Sequence, residues 1–368
     1  MESDNKLFLL DAYALIYRAY YAFIKNPRIN SKGFNTSAIL GFVNTLEEVL
    51  KKENPTHIGV AFDPSGPTFR HEAFEQYKAQ REETPEAIRL SVPIIKDIIH
   101  AYRIPILEVA GYEADDVIGT LATEAGRQGI TTYMMTPDKD YGQLVTDNVF
   151  MYRPKHTGGF EVMGIEEVKA KFDIQSPAQV IDMLGLMGDA SDNIPGCPGV
   201  GEKTAQKLIA EFGSIENLLE HTDQLKGALK TKVETNKELI TFSKFLATIK
   251  IDVPIQLEMD KLVREQADED SLRQIFEELE FRTLIDRVLK KENSAGGVTM
   301  TTGSKTATAK SAPSPLPLFP EEGGAIQGDL FANFTGNEPG EAKNSNLATL
   351  SIFRLAVSCR KLSPVKRT

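Results

Sequence analysis

The sequence predicts an α/β protein: a central, mostly parallel sheet flanked by helices, followed by a helical lobe. Three observations carry this. Short apolar runs alternate with helical-period segments from Lys6 to about Phe160, as in strands joined by crossover helices. Beyond Ile165 the strand pattern stops and helical periodicity runs to about Lys291. At 368 residues with 41% hydrophobic content, the chain can bury a substantial core without covalent staples.

The expected strands are Leu7–Leu10, Ile58–Phe62, Pro105–Val109 and Thr132–Thr136, with Val149–Arg153 and Gly159–Met163 as later additions at an edge. Between Phe69 and Tyr102 the chain reads as two helices broken at Thr84-Pro85, with Arg70, Lys78, Arg81, Arg89 and Lys96 along them. This insertion, about 69–102, is a candidate arch. Further helices are expected over Ser176–Met187, Lys203–Glu211, Ser214–Leu219 and the amphipathic Glu269–Glu280. The division is 1–164 for the α/β core, 165–291 for the helical lobe, and 292–368 for a disordered linker and tail rich in Gly, Ser, Thr and Pro. The final Thr349–Thr368 holds Arg354, Arg360, Lys361, Lys366 and Arg367 and no acidic residue.

A net charge of −10 argues against coating DNA through bulk positive charge, so any nucleic-acid contact must use local basic patches. Cys197 and Cys359 suggest neither a zinc cluster nor a disulfide framework, which suits a reducing cytosol. Met1–Asn5 shows no export leader, and no stretch approaches the roughly 18 apolar residues of a spanning helix. The expectation is a soluble, cytoplasmic chain without a membrane partner.

Acidic residues end or follow the strands. Asp11 ends the first and Asp63 the second; Glu113, Asp115 and Asp116 follow the third, and Asp138 and Asp140 the fourth. In open α/β sheets ligands bind beyond the carboxyl ends of strands, so these side chains should share one pocket. Asp189 and Asp192 lie in the loop after a long helix. Singly, each has a plainer explanation: Asp11 and Glu113 as helix caps, Asp63-Pro64 as a turn, Asp115 and Asp116 as complements to a helix dipole. Together they would repel and raise one another's pKa unless a cation compensates. With no His or Cys among them the donor set favours Mg2+ or Mn2+ over zinc, and it could feed two ions. Such pairs perform in-line displacement at phosphorus, here phosphodiester hydrolysis.

Asn193-Ile-Pro-Gly-Cys-Pro-Gly-Val-Gly-Glu-Lys-Thr-Ala205 links two helices through Gly196, Gly199 and Gly201. N–H groups at the following helix N-terminus, around Lys203 and Thr204, can hold a DNA phosphate without reading a base. This is a helix-hairpin-helix signature over about 187–213. A nucleotide-binding loop fits worse, because Glu202 separates Gly201 from Lys203 and a helix precedes it where a strand belongs. A plain interhelical turn is the other reading. In the arch, Arg70, Tyr77, Lys78 and Arg81 recur at helical spacings as a cationic, aromatic face. Tyr77 could stack on a base, while Lys78 and Arg81 could neutralise the scissile phosphate. Alone, such a face is more often simply solvated.

These motifs, Leu-Leu-Asp11, Ala-Phe-Asp63, Phe-Arg70, Tyr-Lys78 with Arg81, Gly-Tyr-Glu-Ala-Asp-Asp116, Thr-Pro-Asp-Lys-Asp140, Gly-Asp-Ala-Ser-Asp-Asn193 and Pro-Gly-Val-Gly-Glu-Lys-Thr-Ala205, resemble the flap endonuclease family in order. The version resembled is the 5′ nuclease domain of the bacterial DNA polymerase I family, from about Lys6 to Lys291. The resemblance implies a PIN-like or resolvase-like sheet. It also implies a nucleoid-associated, monomeric enzyme that removes RNA primers and 5′ flaps and acts at nicks in replication and repair. By that analogy Asp11, Asp63, Glu113, Asp115 and Asp116 serve one metal site and Asp138, Asp140, Asp189 and Asp192 a second. Asp63, Asp115, Asp138, Lys78 and Arg81 would be catalytic, and the hairpin would take K+. A stand-alone or truncated nuclease is expected, since proofreading-like and polymerase domains do not fit this length; the basic end is consistent with a shifted frame. Gln327-Gly-Asp-Leu-Phe331 resembles a sliding-clamp peptide, and Pro315-Leu-Pro-Leu-Phe319 does so less well. A DNA-junction binder without turnover should have lost carboxylates, and a PIN-like ribonuclease should lack the arch and hairpin.

Overall fold

In the computed structural model the described residues are 5–155 and 158–289. The linker, the basic tail, Cys359 and the Gln327–Phe331 peptide lie outside them.

Strand β1 (Lys6–Asp11) leads into α1 (Ala12–Ala22), and α2 (Ser37–Lys52) precedes β2 (His57–Ala61). After the short α3 (Phe69–Ala73), α4 (Glu86–Ala101) crosses to β3 (Ile106–Leu107), and α5 (Ala114–Arg127) leads to β4 (Thr131–Met135). β5 (Val149–Pro154) and β6 (Phe160–Met163) complete a sheet of order β3-β2-β1-β4-β5-β6. The first five strands are parallel to their neighbours and β6 is antiparallel to β5. From β1 the chain steps one way to β2 and β3, then returns to lay β4 on the opposite flank. The strand order therefore reverses between β1 and β4, and a crevice opens at their carboxyl ends. Leu10 is level with both Val60 and Met135, so β1, β2 and β4 deliver their last residues to the same height.

Alternation along the strands sorts the core into two faces. Leu7, Leu9, Ala61 and Met134 pack on one side with Val117 and Leu121 of α5. Phe8, Leu10, Ile58 and Val60 pack on the other with Ile16 of α1, Phe42 of α2 and Ile95 of α4. The helical lobe covers the first face through α6 (Ile165–Phe172), α7 (Val180–Met187), α8 (Glu202–Phe212), α9 (Ile215–Glu220), α10 (Gly227–Thr235) and α11 (Lys237–Ala247). After α12 (Met259–Leu262), α13 (Glu269–Glu278) returns to the second face. Leu272 and Phe276 of α13 are buried there with Phe8, so the end of the expected lobe packs on the core instead. Among the described residues no helix is long and apolar enough to cross a membrane.

Of the expected pair of arch helices, the second forms directly after the expected break at Thr84-Pro85, whereas the first is cut short. α3 ends at Ala73, and α4 starts at Glu86 with Ile88, Ile95, Ile98 and Ile99 fully buried. That apolar stripe makes α4 a crossover helix against the sheet. Residues 74–85 form no regular helix, and Lys78 adopts a left-handed φ of 57°. Helical spacing therefore does not govern how Tyr77, Lys78 and Arg81 are presented.

Candidate active site

The crevice at the β1/β4 reversal is lined by acid. Asp11 caps α1 by accepting from the Ala14 N–H at 3.1 Å, and its other oxygen accepts from Thr136 Oγ1 and Tyr141 Oη, each at 3.2 Å. Burial, with the negative charges of Asp63 and Asp138, pushes the Asp11 carboxyl up to about 7. Asp63 accepts from the Ala114 N–H at 2.7 Å, which fastens the end of β2 to the start of α5.

Glu113, Asp115 and Asp116 sit at that helix start. Each offers a carboxylate oxygen within 4.8 Å of the others. Negative groups are favoured at a helix N-terminus, but three so close need further positive charge. Arg70 supplies part of it: Nη1 and Nη2 each donate to Asp116 at 2.8 Å, and Nη1 also donates to Glu113 at 3.1 Å. Asp116 further accepts from the Glu113 and Lys250 N–H groups, so both its oxygens are engaged twice. Lys78 Nζ donates to Glu113 at 2.8 Å. Although burial works to raise it, Lys78 and Arg70 hold the Glu113 carboxyl below the usual range. Asp115 fares differently: burial and the adjacent Asp116 charge outweigh the help of Arg70, whose Nη1 stands 3.9 Å from Oδ1, and drive it well above the usual range.

Asp138 accepts from the Asp140 N–H at 3.0 Å and opens a short 3-10 helix, Lys139–Leu144. Asp189 follows α7; its Oδ1 accepts from the Ser191 N–H and Oγ, and its Oδ2 from Lys139 Nζ at 2.6 Å. Asp192 accepts from Tyr77 Oη at 3.0 Å and Arg81 Nη2 at 2.5 Å. Burial opposes its ionisation, yet Lys78 and Arg81 hold it at about 2. Burial and the facing aspartates push Asp138 up and Asp140 well up. The phenol of Tyr141 is raised by burial and then by Asp11, Asp115, Asp138 and Asp63, which places both halves of the acidic set in one electrostatic field.

The donor set fits divalent cations. Among the described residues, Asp115 Oδ1 and Asp140 Oδ1 are buried oxygens with no hydrogen-bond partner; cationic nitrogens stand off at 3.9 and 3.7 Å. A buried lone pair left unsatisfied is costly, and two among crowded carboxylates suit a hard, oxygen-seeking ion.

Two expectations change. Arg70 is 1% exposed and committed to Asp116, Glu113 and the carbonyls of Leu246 and Thr248, so it cannot face DNA. Tyr77 is 3% exposed, with its hydroxyl on Glu113 and Asp192, so no base can stack on it. Lys78 and Arg81 face the acidic groups at the mouth of the site. Tyr141 was missed by sequence reasoning, and Thr136 and Lys139 entered it only as members of the Thr-Pro-Asp-Lys-Asp140 motif, with no role of their own.

The glycine turn joins α7 to α8. Gly196 has φ 62°, and a Cβ there would lie 2.3 Å from the Gly188 nitrogen, so glycine is required. Gly199, Gly201 and Lys203 are exposed at the start of α8, Thr204 is half-buried, and Lys232 Nζ donates to the Gly199 carbonyl at 3.2 Å.

Residues 6–173 match the family described as "5'-3' exonuclease, N-terminal resolvase-like domain", and residues 175–270 match "5'-3' exonuclease, C-terminal SAM fold". The chain belongs to the 5′-3′ exonuclease family. It is 43% identical over 291 residues to DNA polymerase I of Bacillus subtilis, covering 78% of this chain and 33% of that protein. It is 40% identical over 287 residues to DNA polymerase I of Bacillus caldotenax, covering 77% and 32%. The chain thus spans about a third of the length of these relatives. The T5 5′-exonuclease solved with zinc ions aligns with a TM-score of 0.56 at 22% identity, covering 75% of the present chain and 98% of that chain. The catalytic core of Rad2 in complex with a DNA substrate gives 0.54 at 19%, covering 78% and 93%. Both likenesses establish the shared fold.

Proposed function

We propose that this protein hydrolyses phosphodiester bonds in DNA bearing 5′ flaps or nicks, and in RNA-DNA primers, using two divalent cations, Mg2+ or Mn2+. The observation that carries the reading is the convergence of Asp11, Asp63, Glu113, Asp115, Asp138, Asp140, Asp189 and Asp192 around the strand reversal. Two of their buried oxygens lack any donor. The T5 flap endonuclease of comparable fold is solved as a pseudo-enzyme-product complex with DNA and metal ions, which supports DNA and metals as the ligands here.

Asp11, Asp63 and Asp115 would hold one cation, with Glu113 and Asp116 adding charge behind them; Asp138, Asp140 and Asp189 would hold the other, with Asp192 alongside. Bound there, such ions supply an activated water at neutral pH and neutralise charge on the phosphate oxygens. The chain's own residues set the stage. Arg70 fixes the start of α5, Tyr141 and Thr136 orient Asp11, and Lys78 and Arg81 keep positive charge where a phosphodiester would approach. Exposed Lys203, at the first turn of α8, would take a backbone phosphate of the duplex without reading its sequence.

Labelled flapped, nicked and blunt DNA, incubated with and without Mg2+, test this directly. Asp138→Asn and Asp63→Asn should each abolish cutting while flap binding stays measurable. Undiminished cleavage by either variant overturns the assignment.

A further inference from the structure

The acidic crevice carries a cation of its own. Lys139 stands between Asp138 and Asp140 in sequence, and its Nζ lies 2.6 Å from Asp189 Oδ2 and 3.7 Å from Asp140 Oδ1. The remaining oxygen of Asp189 is taken by Ser191, and both oxygens of Asp192 by Tyr77 and Arg81. A divalent ion entering between Asp140 and Asp189 therefore meets an ammonium already seated there. In the group around Asp11 no cation is hydrogen-bonded in this way: Asp63 accepts from a backbone N–H, Asp11 from a backbone N–H and two hydroxyls, and the Arg70 guanidinium stands off at 3.9 Å from Asp115 Oδ1, being committed to Asp116 and Glu113.

We propose that Lys139 is a positioning residue that competes with the second divalent cation for Asp140 and Asp189, making that site the weaker of the two. The ammonium holds the two aspartates together when no ion is present. It must swing aside, or remain as a repelling neighbour, when one binds. The inference rests on the two-cation reading above and deepens it: the sites fill in order, the Asp11, Asp63 and Asp115 site first.

Mn2+ titration of the whole chain, counting free ion by electron paramagnetic resonance, separates the possibilities. The wild-type protein should show one tight and one weak class of ion. Lys139→Gln and Lys139→Met should tighten the weak class by about tenfold or more and leave the tight class within about twofold, because one repelling unit charge is removed a few ångströms away. Lys139→Arg should keep the wild-type pattern, and thermal melts establish that each variant is folded. A merely structural lysine predicts the opposite sign, with weaker binding in the neutral variants. An unchanged or weakened second class in folded Lys139→Gln and Lys139→Met overturns the proposal while leaving the metal reading intact. No Mn2+ uptake by any of the proteins overturns the two-cation reading, and this inference with it.

Discussion

Arg70 and Asp116 face one another through two parallel hydrogen bonds of 2.8 Å, with side chains 1% and 0% exposed. A planar guanidinium matches a carboxylate in this geometry, and the pair ties α3 to the first turn of α5. Removing one partner strands the other as a buried charge. Arg70→Met should therefore cost about 3–5 kcal/mol of stability, read as a lower denaturation midpoint in urea. Combining it with Asp116→Leu should recover part of that loss; an additive loss would show that the pair does not act as a unit.

Asp115 is crowded by like charge and has an oxygen without a donor. Asp115→Asn removes the charge and keeps the shape. In chelator the variant should melt at a higher temperature than the wild-type protein, whereas its Mg2+-dependent cleavage should fall by about a hundredfold or more. A variant that melts lower in chelator would contradict the repulsion argument.

The pH dependence follows from Asp11. Its folded-state pKa of about 7, against an ordinary 3.8, means the folded protein holds this proton more tightly than the unfolded chain does. Its contribution is full below about 4 and is lost as pH rises through about 7. The span corresponds to on the order of 4 kcal/mol at most. Without divalent ions the melting temperature should fall from pH 5 to 7.5, and Asp11→Asn should flatten that slope. Adding Mg2+ should flatten it as well. Asp192 has the opposite sign: held at about 2, its stabilisation is present above about 4 and lost in stronger acid.

At the glycine turn, Gly196→Ala would force a Cβ to 2.3 Å from the Gly188 nitrogen on a backbone with φ 62°. A loss on the order of 2–4 kcal/mol is expected by chemical denaturation. Exposed Lys203→Ala should leave folding unaltered and reduce the slope of log binding constant against log salt for flapped DNA by about 1. An unchanged slope would remove Lys203 from the phosphate contacts.

Much of the site was legible because it depends on strand ends. Asp11, Asp63 and Asp138 each sit at or just past an apolar run, and the sheet brings such positions together whatever the side-chain details. The 69–102 segment was not legible in the same way. Basic residues at helical spacing look alike whether the backbone is helical or not, and Ile88, Ile95, Ile98 and Ile99 claim α4 for the core. Arg70 read as a surface cation because nothing local shows that Asp116 and the carbonyls of Leu246 and Thr248 will enclose it. β3 shrank to Ile106–Leu107 because it pairs only at β2, on the margin of the sheet.

The turn after α7 is locked twice. Asp189 and Ile194 exchange backbone hydrogen bonds of 2.9 and 2.8 Å, while the N–H groups of Gly196 and Cys197 donate to Ser243 Oγ and the Leu186 carbonyl. Asp189 and the start of α8 thus belong to one stiff clip. Under the proposed function, a phosphate gripped at Lys203 would be set at a constant offset from the aspartates, and the clip would act as a gauge, measuring the point of incision from the double-stranded side.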